Sequence, residues 1–258
     1  KIRISSIVGS PFSIGHDNPP QQSFVLDTSL DDNYSSVADC KALQYSKCHY
    51  NFNYTTDSKY ERNLNSVMTR LIKDSSHTGF NTSENGQVYG LLQCRGDTTP
   101  DQCYTCSQQA NTTLRQICGN AGGGLLWFDD ENCFLRYENY SFFGQLETTD
   151  EWNLCNPKNV TPSPDVLIKA VNSLFNKLVD EATSGSTLYA SGTTTDSLSR
   201  RIYGLVQRTR DMSIDNCTSC LQTTINGIST DCSGSQGARG LVGSCIVRYE
   251  MYSFFNST

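Results

Sequence analysis

The sequence predicts an α+β fold that occurs twice, as two homologous domains that each pack two helices on one face of an antiparallel sheet. An internal repeat is the first sign, because residues 89–93 read Tyr-Gly-Leu-Leu-Gln and residues 203–207 read Tyr-Gly-Leu-Val-Gln. The motif Arg-Tyr-Glu-x-Tyr-Ser-Phe-Phe likewise occurs at 136–143 and 248–255. Each copy also contains segments of helical periodicity and several strand-like runs, which indicates a mixed domain.

Helix start signals occur in both copies. Ser58 and Glu61 have the spacing of a capping box, in which a hydroxyl and a carboxylate bind otherwise unpaired N–H groups. A second helix is predicted to begin at Thr99, directly before a proline. In the second copy, Ser163 is predicted to cap a helix whose first residue is Pro164, where the missing N–H of proline costs nothing. A fourth helix is predicted in the second copy, as the counterpart of the helix that begins at Thr99.

Strand-like runs fill most of the remaining sequence of each copy. Their apolar residues place them at 87–94, 124–128, 133–143, 201–207, 239–242 and 245–255. The helices are predicted to cover one face of the sheet that these strands form.

The repeat divides the chain into three parts. We predict an N-terminal extension at 1–43, a first domain at 44–146 and a second domain at 147–258. Both domains have an ordinary size for independent folding units. The extension belongs to neither copy, and the isoleucines among its first seven residues could supply a short strand.

The composition excludes several classes of function. The chain has 258 residues, a formal net charge of −6 and an isoelectric point near 5.0, which argues against a nucleic-acid groove. Only three histidines occur, and no Ser-His-Asp or Cys-His arrangement can be assembled from them. We therefore predict no enzyme, no cofactor and no metal site. No run of 18 apolar residues occurs, so no membrane contact is predicted for this segment.

The twelve cysteines predict a disulfide framework in an oxidising compartment, because their number is even and their spacings are ordered. The alternative is a zinc ion held by two Cys-x-x-Cys pairs, Cys103 with Cys106 and Cys217 with Cys220. The pairs lie more than 100 residues apart and each is followed by two further cysteines, which favours the disulfides.

Asn-x-Ser/Thr sequons support the same compartment. They are too frequent for chance beside twelve cysteines, and they indicate a secreted or cell-surface glycoprotein. The predicted glycosylation sites are Asn33, Asn53, Asn81, Asn111, Asn139, Asn159 and Asn256.

The spacing Cys-x₈-Cys-x₂-Cys of Cys94, Cys103 and Cys106, with the flanking motifs Tyr-Gly-Leu-Leu-Gln-Cys-Arg-Gly-Asp and Cys-Phe-Leu-Arg-Tyr-Glu, is specific. It resembles the plant ginkbilobin-homologous cysteine-rich domain, also called the salt-stress-response/antifungal domain. The tandem arrangement is similar to the ectodomains of cysteine-rich receptor-like kinases, plasmodesmata-located proteins and cysteine-rich-repeat secretory proteins. The resemblance covers about residues 44–256.

This resemblance implies two helices on a five-stranded antiparallel sheet in each domain, with a framework of three disulfides. The pairs that it implies are Cys48–Cys118, Cys94–Cys103, Cys106–Cys133, Cys155–Cys232 and Cys220–Cys245.

The second domain departs from the pattern at one position, because Arg208 stands where the first domain has Cys94. Cys217 therefore lacks the partner that the resemblance implies, and Cys40 is surplus to the first domain. We predict a sixth bridge, Cys40–Cys217. The alternatives are two free thiols or an intermolecular bond in a homodimer.

The resemblance also implies a carbohydrate site in the second domain. Single-domain relatives that bind mannose use an Asn, an Arg and a Glu at positions that match Asn156, Arg239 and Glu250. An amide, a guanidinium and a carboxylate together can fix adjacent sugar hydroxyls. The alternative is a cross-strand salt bridge between Arg239 and Glu250, with Asn156 capping a turn. The first domain does not match, since we align His49 and Trp127 with the Asn and Arg positions.

These features predict an extracellular recognition ectodomain of a plant cell-surface or apoplastic protein. Its partner would be a mannose-type carbohydrate bound by the second domain, or another surface protein bound by a platform in receptor or plasmodesmal signalling. A secreted antifungal defence protein is the third alternative. The pattern is compatible with a membrane span or a kinase domain after Thr258.

Overall fold

The computed structural model describes residues 45–128, 131–149, 151–185 and 188–256, apart from the side chains of 214–217. The predicted extension at 1–43, its short strand and the sequon at Asn33 lie outside the described residues. The predicted Cys40–Cys217 bridge also lies outside them. That bridge and the homodimer therefore stay predictions.

The first repeat forms one five-stranded antiparallel sheet in the order β1-β4-β5-β3-β2. Its elements in chain order are β1 (Tyr45–Asn53), α1 (Lys59–Thr78), β2 (Phe80–Asn85), β3 (Val88–Cys94), α2 (Pro100–Cys118), β4 (Ala121–Phe128) and β5 (Cys133–Glu138).

The second repeat forms a sheet of the same topology, in the order β6-β9-β10-β8-β7. Its elements are β6 (Trp152–Cys155), α3 (Pro164–Ser184), β7 (Tyr189–Thr195), β8 (Arg201–Arg208), α4 (Ile214–Asp231), β9 (Ala238–Leu241) and β10 (Cys245–Glu250). The α+β class and the five strands of each domain are thus confirmed. The predicted boundary after residue 146 falls between β5 and β6 and stays a prediction.

Hydrophobic periodicity alone found only the inner strands. The edge strands β1, β2, β6 and β7 are partly exposed and carry many polar residues, so alternation does not reveal them. The runs predicted at 133–143 and 245–255 were too long, because β5 ends at Glu138 and β10 ends at Glu250. The aromatic residues that follow these two strands lie outside the sheet.

The helix starts at Ser58, Thr99 and Ser163 agree with the prediction, although Ser163 makes no side-chain cap. Thr99 caps α2 in a full capping box with Gln102, and the Ser58 hydroxyl accepts a hydrogen bond from the Glu61 N–H. Glu61 binds the N–H of Asp57 rather than that of Ser58. Ser163 is the N-cap residue of α3 and Pro164 is its first residue, as predicted, but the predicted side-chain cap does not form. Ser163 adopts a left-handed backbone (φ 63°), and its hydroxyl makes no capping hydrogen bond.

Three hydrophobic clusters stabilise the part of the chain that the structure describes. In each repeat, one cluster fills the space between the two helices and the inner face of the sheet. The third cluster lies between the opposite faces of the two sheets, so the repeats pack sheet against sheet. Its buried members are Tyr45, Leu91, Leu125, Trp127, Phe134, Phe142, Leu205, Leu241 and Ile246.

Among the cysteines that the structure describes, five disulfides are formed, and they are the five that the resemblance implies. The bridge Cys94–Cys103 ties the end of β3 to the first turn of α2. In the second repeat, the Nη1 atom of Arg208 instead donates to the carbonyls of Met212 and Ser213, just before α4. The buried arginine therefore connects the same two elements that the disulfide connects in the first repeat.

Candidate functional site

The repeated Arg-Tyr-Glu-x-Tyr-Ser-Phe-Phe motif forms a compact cluster around its arginine. In the second repeat, Arg248 Nε donates to Glu250 Oε1 at 3.2 Å, and Nη2 donates to the Tyr252 hydroxyl at 3.2 Å. The guanidinium carbon lies 4.2 Å from the centre of the Phe254 ring. One buried charge is thus satisfied by a carboxylate, a phenol and an aromatic face.

The first repeat has the same cluster. Arg136 Nε donates to Glu138 Oε1 at 3.0 Å, Nη2 donates to the Tyr140 hydroxyl at 3.4 Å, and the guanidinium carbon lies 4.2 Å from the Phe142 ring centre. The motif therefore recurs for a structural reason, because its residues surround and hydrogen-bond one buried guanidinium in each sheet.

The predicted carbohydrate residues are brought together around Gly237. The N–H of Asn156 donates to the Gly237 carbonyl at 2.8 Å, and Arg239 Nη2 lies 3.8 Å from Glu250 Oε1. Glu250 Oε2 lies directly over Gly237, where any side chain would collide with it. That oxygen is buried and has no hydrogen-bond partner among the described residues. Asn156 Oδ1 accepts from the N–H of Lys158 and closes a local turn.

A residue of the first repeat, Glu131, reaches into this group. Arg239 Nη1 donates to Glu131 Oε1 at 2.5 Å, and Arg248 Nη1 donates to Glu131 Oε2 at 2.9 Å. Glu131 is 2% exposed, Arg248 1% and Arg239 8%. Arg239 and Arg248 of the second sheet therefore both bind a carboxylate from the other repeat.

Glu131 was not identified from the sequence, although a signal for it exists. The cysteines of the two repeats are 114 residues apart at Cys118 and 112 apart at Cys133. The first repeat thus has two additional residues in this interval, and the turn between β4 and β5 is correspondingly longer. Glu131 belongs to that turn, where it adopts a φ of 64°.

Burial controls the phenols beside the second-repeat cluster. Burial and the neighbouring Glu250 carboxylate raise the pKa of Tyr249 to about 12, and the Tyr249 hydroxyl donates to the Ser235 carbonyl. Burial also raises the pKa of Tyr252, with Glu250 adding to the rise and Arg248 opposing it. Both phenols stay neutral in ordinary buffers, so they act as hydrogen-bonding groups rather than as bases.

The alignment of Trp127 with Arg239 was wrong. Strand register pairs Arg239 with Arg248 in the second sheet and Leu125 with Arg136 in the first, so Leu125 is the true counterpart. The Trp127 alignment was counted back from the last cysteine of each repeat, and it therefore ignored the two additional residues of the first repeat. The Trp127 indole N–H donates to the Val242 carbonyl at 3.0 Å and belongs to the contact between the repeats.

His49 occupies the position of Asn156 and contacts Glu138. Its Nδ1 lies 2.8 Å from Glu138 Oε1. The first repeat therefore has an imidazole and an apolar side chain where the second has an amide and a guanidinium.

Two glutamines join the repeats by reciprocal hydrogen bonds. Gln93 Nε2 donates to the Arg208 carbonyl at 2.6 Å, and Gln207 Nε2 donates to the Cys94 carbonyl at 3.0 Å. Their amide oxygens accept from the N–H groups of Arg210 and Gly96, respectively. Each glutamine is thus bound to the strand end that precedes the other repeat's second helix, which makes the contact nearly two-fold symmetric.

The tripeptide Arg95-Gly96-Asp97, which has the sequence of a cell-adhesion motif, is part of this contact. Arg95 Nε donates to Asp97 Oδ1 at 2.6 Å, and Asp97 Oδ2 accepts from the N–H of Asn256 at 2.8 Å. Asp211 binds the N–H of Gly144 in the symmetric position. Both carboxylates therefore hold the segment that follows the last strand of the other repeat.

The predicted glycosylation sites stay predictions. Those in the described part of the chain differ in exposure: Asn53, Asn159 and Asn256 are exposed, and Asn81, Asn111 and Asn139 are half-buried.

Among the described residues, no group of three or more potential metal ligands is found. Cys103, Cys106 and Cys220 are in disulfides, so their sulfurs are unavailable as zinc ligands. Within the same residues, the helices are all too short or too polar to traverse a bilayer.

Comparisons with known proteins agree with this architecture. The profile of the salt stress response/antifungal family matches residues 47–140 and 154–252, one match for each repeat. An antimicrobial ginkbilobin-2-like protein of Castanea crenata is 34% identical over 225 residues, which cover 86% of this chain and 92% of that protein. Cysteine-rich repeat secretory protein 38 of Arabidopsis thaliana is 36% identical over 207 residues, covering 78% of this chain and 81% of that protein.

Solved structures give the same result. The tandem DUF26 ectodomain of the Arabidopsis thaliana cysteine-rich receptor-like protein PDLP8 superposes with a TM-score of 0.70 at 26% identity, covering 81% of this chain and 98% of that one. The corresponding ectodomain of PDLP5 gives 0.68 at 26% identity, with 81% and 99% covered. The chain therefore belongs to the plant salt stress response/antifungal family, as an extracellular tandem of two cysteine-rich domains.

Proposed function

We propose that this chain is a non-catalytic recognition module that binds another extracellular protein, and that Arg239, one of the mannose-type residues of its second domain, is part of the contact between the domains. The observation that carries the proposal is the position of Glu131. Its carboxylate binds both Arg239 and Arg248 and leaves the three side chains almost fully buried. A sugar would have to displace a buried, doubly bound carboxylate to reach the guanidinium of Arg239.

The contact between the sheets supports a platform rather than two independent binding domains. It combines an apolar cluster with the reciprocal bonds of Gln93 and Gln207 and with the bound carboxylates of Asp97 and Asp211. Packed interfaces of this kind hold two domains in one orientation. A fixed orientation lowers the entropic cost of binding a large partner.

Exposed aromatic side chains provide contact area for such a partner. Tyr50 is 59% exposed, Tyr252 50% and Tyr140 43%. Tyrosine is enriched at protein interfaces because its ring supplies apolar area and its hydroxyl hydrogen-bonds. Tyr140 and Tyr252 occupy equivalent positions in the two repeats, so they offer similar contacts at two places.

Mannose-type binding is the second candidate, and one observation favours it. Asn156, Arg239 and Glu250 converge on Gly237, and Glu250 Oε2 lacks a partner among the described residues. An antifungal defence role is compatible with either candidate, since one relative is described as antimicrobial.

Calorimetric titration with methyl mannoside separates the two candidates. Wild type should show no binding at millimolar sugar, and neither should Arg239→Ala or the exposed control Lys169→Ala. Millimolar or tighter binding by wild type that Arg239→Ala abolishes and Lys169→Ala retains would establish the lectin and overturn the platform.

Binding of the labelled ectodomain to plant cells tests the partner directly. Binding should disappear after mild protease treatment of the cells and should persist in excess mannose. Replacing Tyr50, Tyr140 and Tyr252 by Ser should weaken it. Competition by mannose, or insensitivity to protease, would contradict a protein partner.

A further inference from the structure

A groove of about 550 Å³ opens on the first repeat, between the start of α1 and the end of α2. Cavities of this size accommodate small organic groups. The groove is lined by polar groups, among them the Glu61 carboxylate, the Arg115 guanidinium and the amides of Asn111 and Asn120. Tyr54 also contributes to the lining, and the Arg115 guanidinium lies 5.6 Å from the centre of its ring.

Two polar atoms of the groove residues are unsatisfied. Asn111 Oδ1 and Arg115 Nη1 are buried and have no hydrogen-bond partner among the described residues. The other terminal nitrogen of Arg115 lies 3.5 Å from Glu61 Oε1, which is a long contact between partly exposed groups. Buried polar groups are usually paired, because an unpaired one costs free energy. Asn111 Oδ1 and Arg115 Nη1 therefore each lack a hydrogen-bonding partner among the described residues.

The second repeat provides an internal comparison. The positions that correspond to Asn111 and Arg115 by the 114-residue offset of the helix cysteines are Ile225 and Ser229. Ile225 is buried in the hydrophobic cluster of that repeat. The shared fold thus does not require polar residues here, and the polar groove is specific to the first repeat.

Asn111 is also the acceptor position of the sequon Asn111-Thr112-Thr113. Its Oδ1 atom is buried, whereas its Nδ2 atom is neither among the buried unpaired atoms nor in a hydrogen bond within the described structure. The amide nitrogen, which is the atom that N-glycosylation modifies, is therefore not among the buried unpaired atoms.

We propose that Asn111 carries an N-linked glycan and that the first N-acetylglucosamine lies in this groove. The link forms between Nδ2 and the anomeric carbon of the sugar, as Nδ2 loses one proton and a lipid-linked pyrophosphate leaves. N-acetylglucosamine presents hydroxyl donors and an acetamide oxygen. Glu61 accepts from such hydroxyls, and Arg115 donates to such a carbonyl. The glycan would thereby connect α1 and α2 across the groove.

Site-resolved deglycosylation of the native protein tests the proposal. The protein is secreted from a eukaryotic host and treated with peptide N-glycosidase in ¹⁸O water, so that each released site is marked by mass. Release at Asn111 should be at least tenfold slower than at the exposed sequons Asn53 and Asn159. The difference should vanish after reduction and unfolding, and Arg115→Ala should shorten the delay.

A matched pair of variants gives a second measurement. Thr113→Ala removes the sequon but keeps Asn111, and Thr113→Ser keeps both. In secreted protein, Thr113→Ala should lower the melting temperature by several degrees relative to Thr113→Ser. In unglycosylated protein the order should be reversed or equal, because Ala is the better helix former. An unmodified Asn111, release as fast as at Asn53, or equal melting temperatures in secreted protein would each overturn the proposal.

Discussion

The two repeats share one fold, and they differ in how each contacts the other. Each sheet holds a buried arginine cluster, around Arg136 in the first repeat and Arg248 in the second. Two additional residues between Cys118 and Cys133 lengthen the turn of the first repeat, and Glu131 in that turn binds the second repeat's arginines. A short insertion in one copy can thus convert a polar site of the other copy into part of an interface.

The corresponding contact around Arg136 of the first repeat is different. The turn between β9 and β10 is shorter, and Gly243 there lies against the side chain of Glu147. Glu147 is half-buried. Burial tends to raise the pKa of Glu147, but hydrogen bonds from Thr149 and the positive charges of Arg136 and Lys47 outweigh it and lower that pKa. Arg136 therefore has a nearby carboxylate from the connecting segment, without the double hydrogen bond that Arg248 and Arg239 share.

Removing Glu131 should have the largest effect on stability. Glu131→Ala leaves two buried guanidinium groups without their shared carboxylate, so we expect a loss of about 3–5 kcal/mol in the free energy of unfolding. Backbone strain at φ 64° is present in both proteins and therefore cancels. Urea denaturation measures the difference.

Glu147→Ala is the matched control. It removes a half-buried carboxylate beside Arg136 and keeps the hydrogen bond that the Glu147 N–H donates to the Ser244 hydroxyl. We expect a loss below about 1 kcal/mol. Equal losses for Glu131→Ala and Glu147→Ala would show that the asymmetry between the two contacts has no energetic importance.

The sequence predicted what the repeat and the cysteines determine. The two domains, the helix starts at Ser58 and Thr99 and the five disulfides follow from spacing or from the family resemblance. Edge strands could not be found by periodicity, because a segment such as Phe80–Asn85 is polar along most of its length. Such strands form because their backbones pair with a neighbour whose apolar pattern is clear.

The candidate site was predicted less completely. Motif transfer found Asn156, Arg239 and Glu250, and these residues do converge. Motifs compare each domain with single domains, so they contain no information about Glu131, which acts from the other repeat. The two-residue change in cysteine offset was the available signal, and following it would also have aligned Leu125 rather than Trp127 with Arg239.

The glutamine pair tests whether the rest of the contact is symmetric. Gln93 and Gln207 are 1% and 2% exposed, and each satisfies one carbonyl and one N–H of the other repeat. Gln93→Ala and Gln207→Ala should each cost about 1–3 kcal/mol, because buried backbone groups lose their partners. The two costs should agree within about 0.5 kcal/mol.

The exposed Gln222→Ala variant is the control and should leave the urea midpoint unchanged. Clearly unequal costs for the two buried glutamines would mean that the near two-fold geometry hides different energetics in the two halves.

The smallest effect on stability is expected at the β2–β3 and β7–β8 hairpins, where the two repeats have different turns. The first repeat joins β2 and β3 by a tight turn with Gly86 at φ 60°. The second uses a longer turn in which Asp196 binds the N–H groups of Leu198 and Arg200 and the Arg200 guanidinium. Arg200 also donates to the carbonyls of Pro162 and Ser163, so Asp196 helps to anchor the start of α3.

This turn should make the second repeat more sensitive to acid. Burial raises the pKa of Asp196, but the hydrogen bonds from Arg200 and Leu198 outweigh burial and hold that pKa below its ordinary value of 3.8. The contribution of Asp196 to stability is therefore complete above the pKa of the unfolded chain and is lost as pH falls through the lower folded-state pKa. Asp196→Asn should flatten the fall of the urea midpoint below pH 4, whereas Glu84→Gln, which changes an exposed carboxylate on β2, should not. Amide hydrogen exchange locates the effect: protection of Leu198 and Arg200 should decrease in acid before that of the β2–β3 turn. Simultaneous loss at both turns would show that acid acts on the whole structure and that the difference between the hairpins is not the cause.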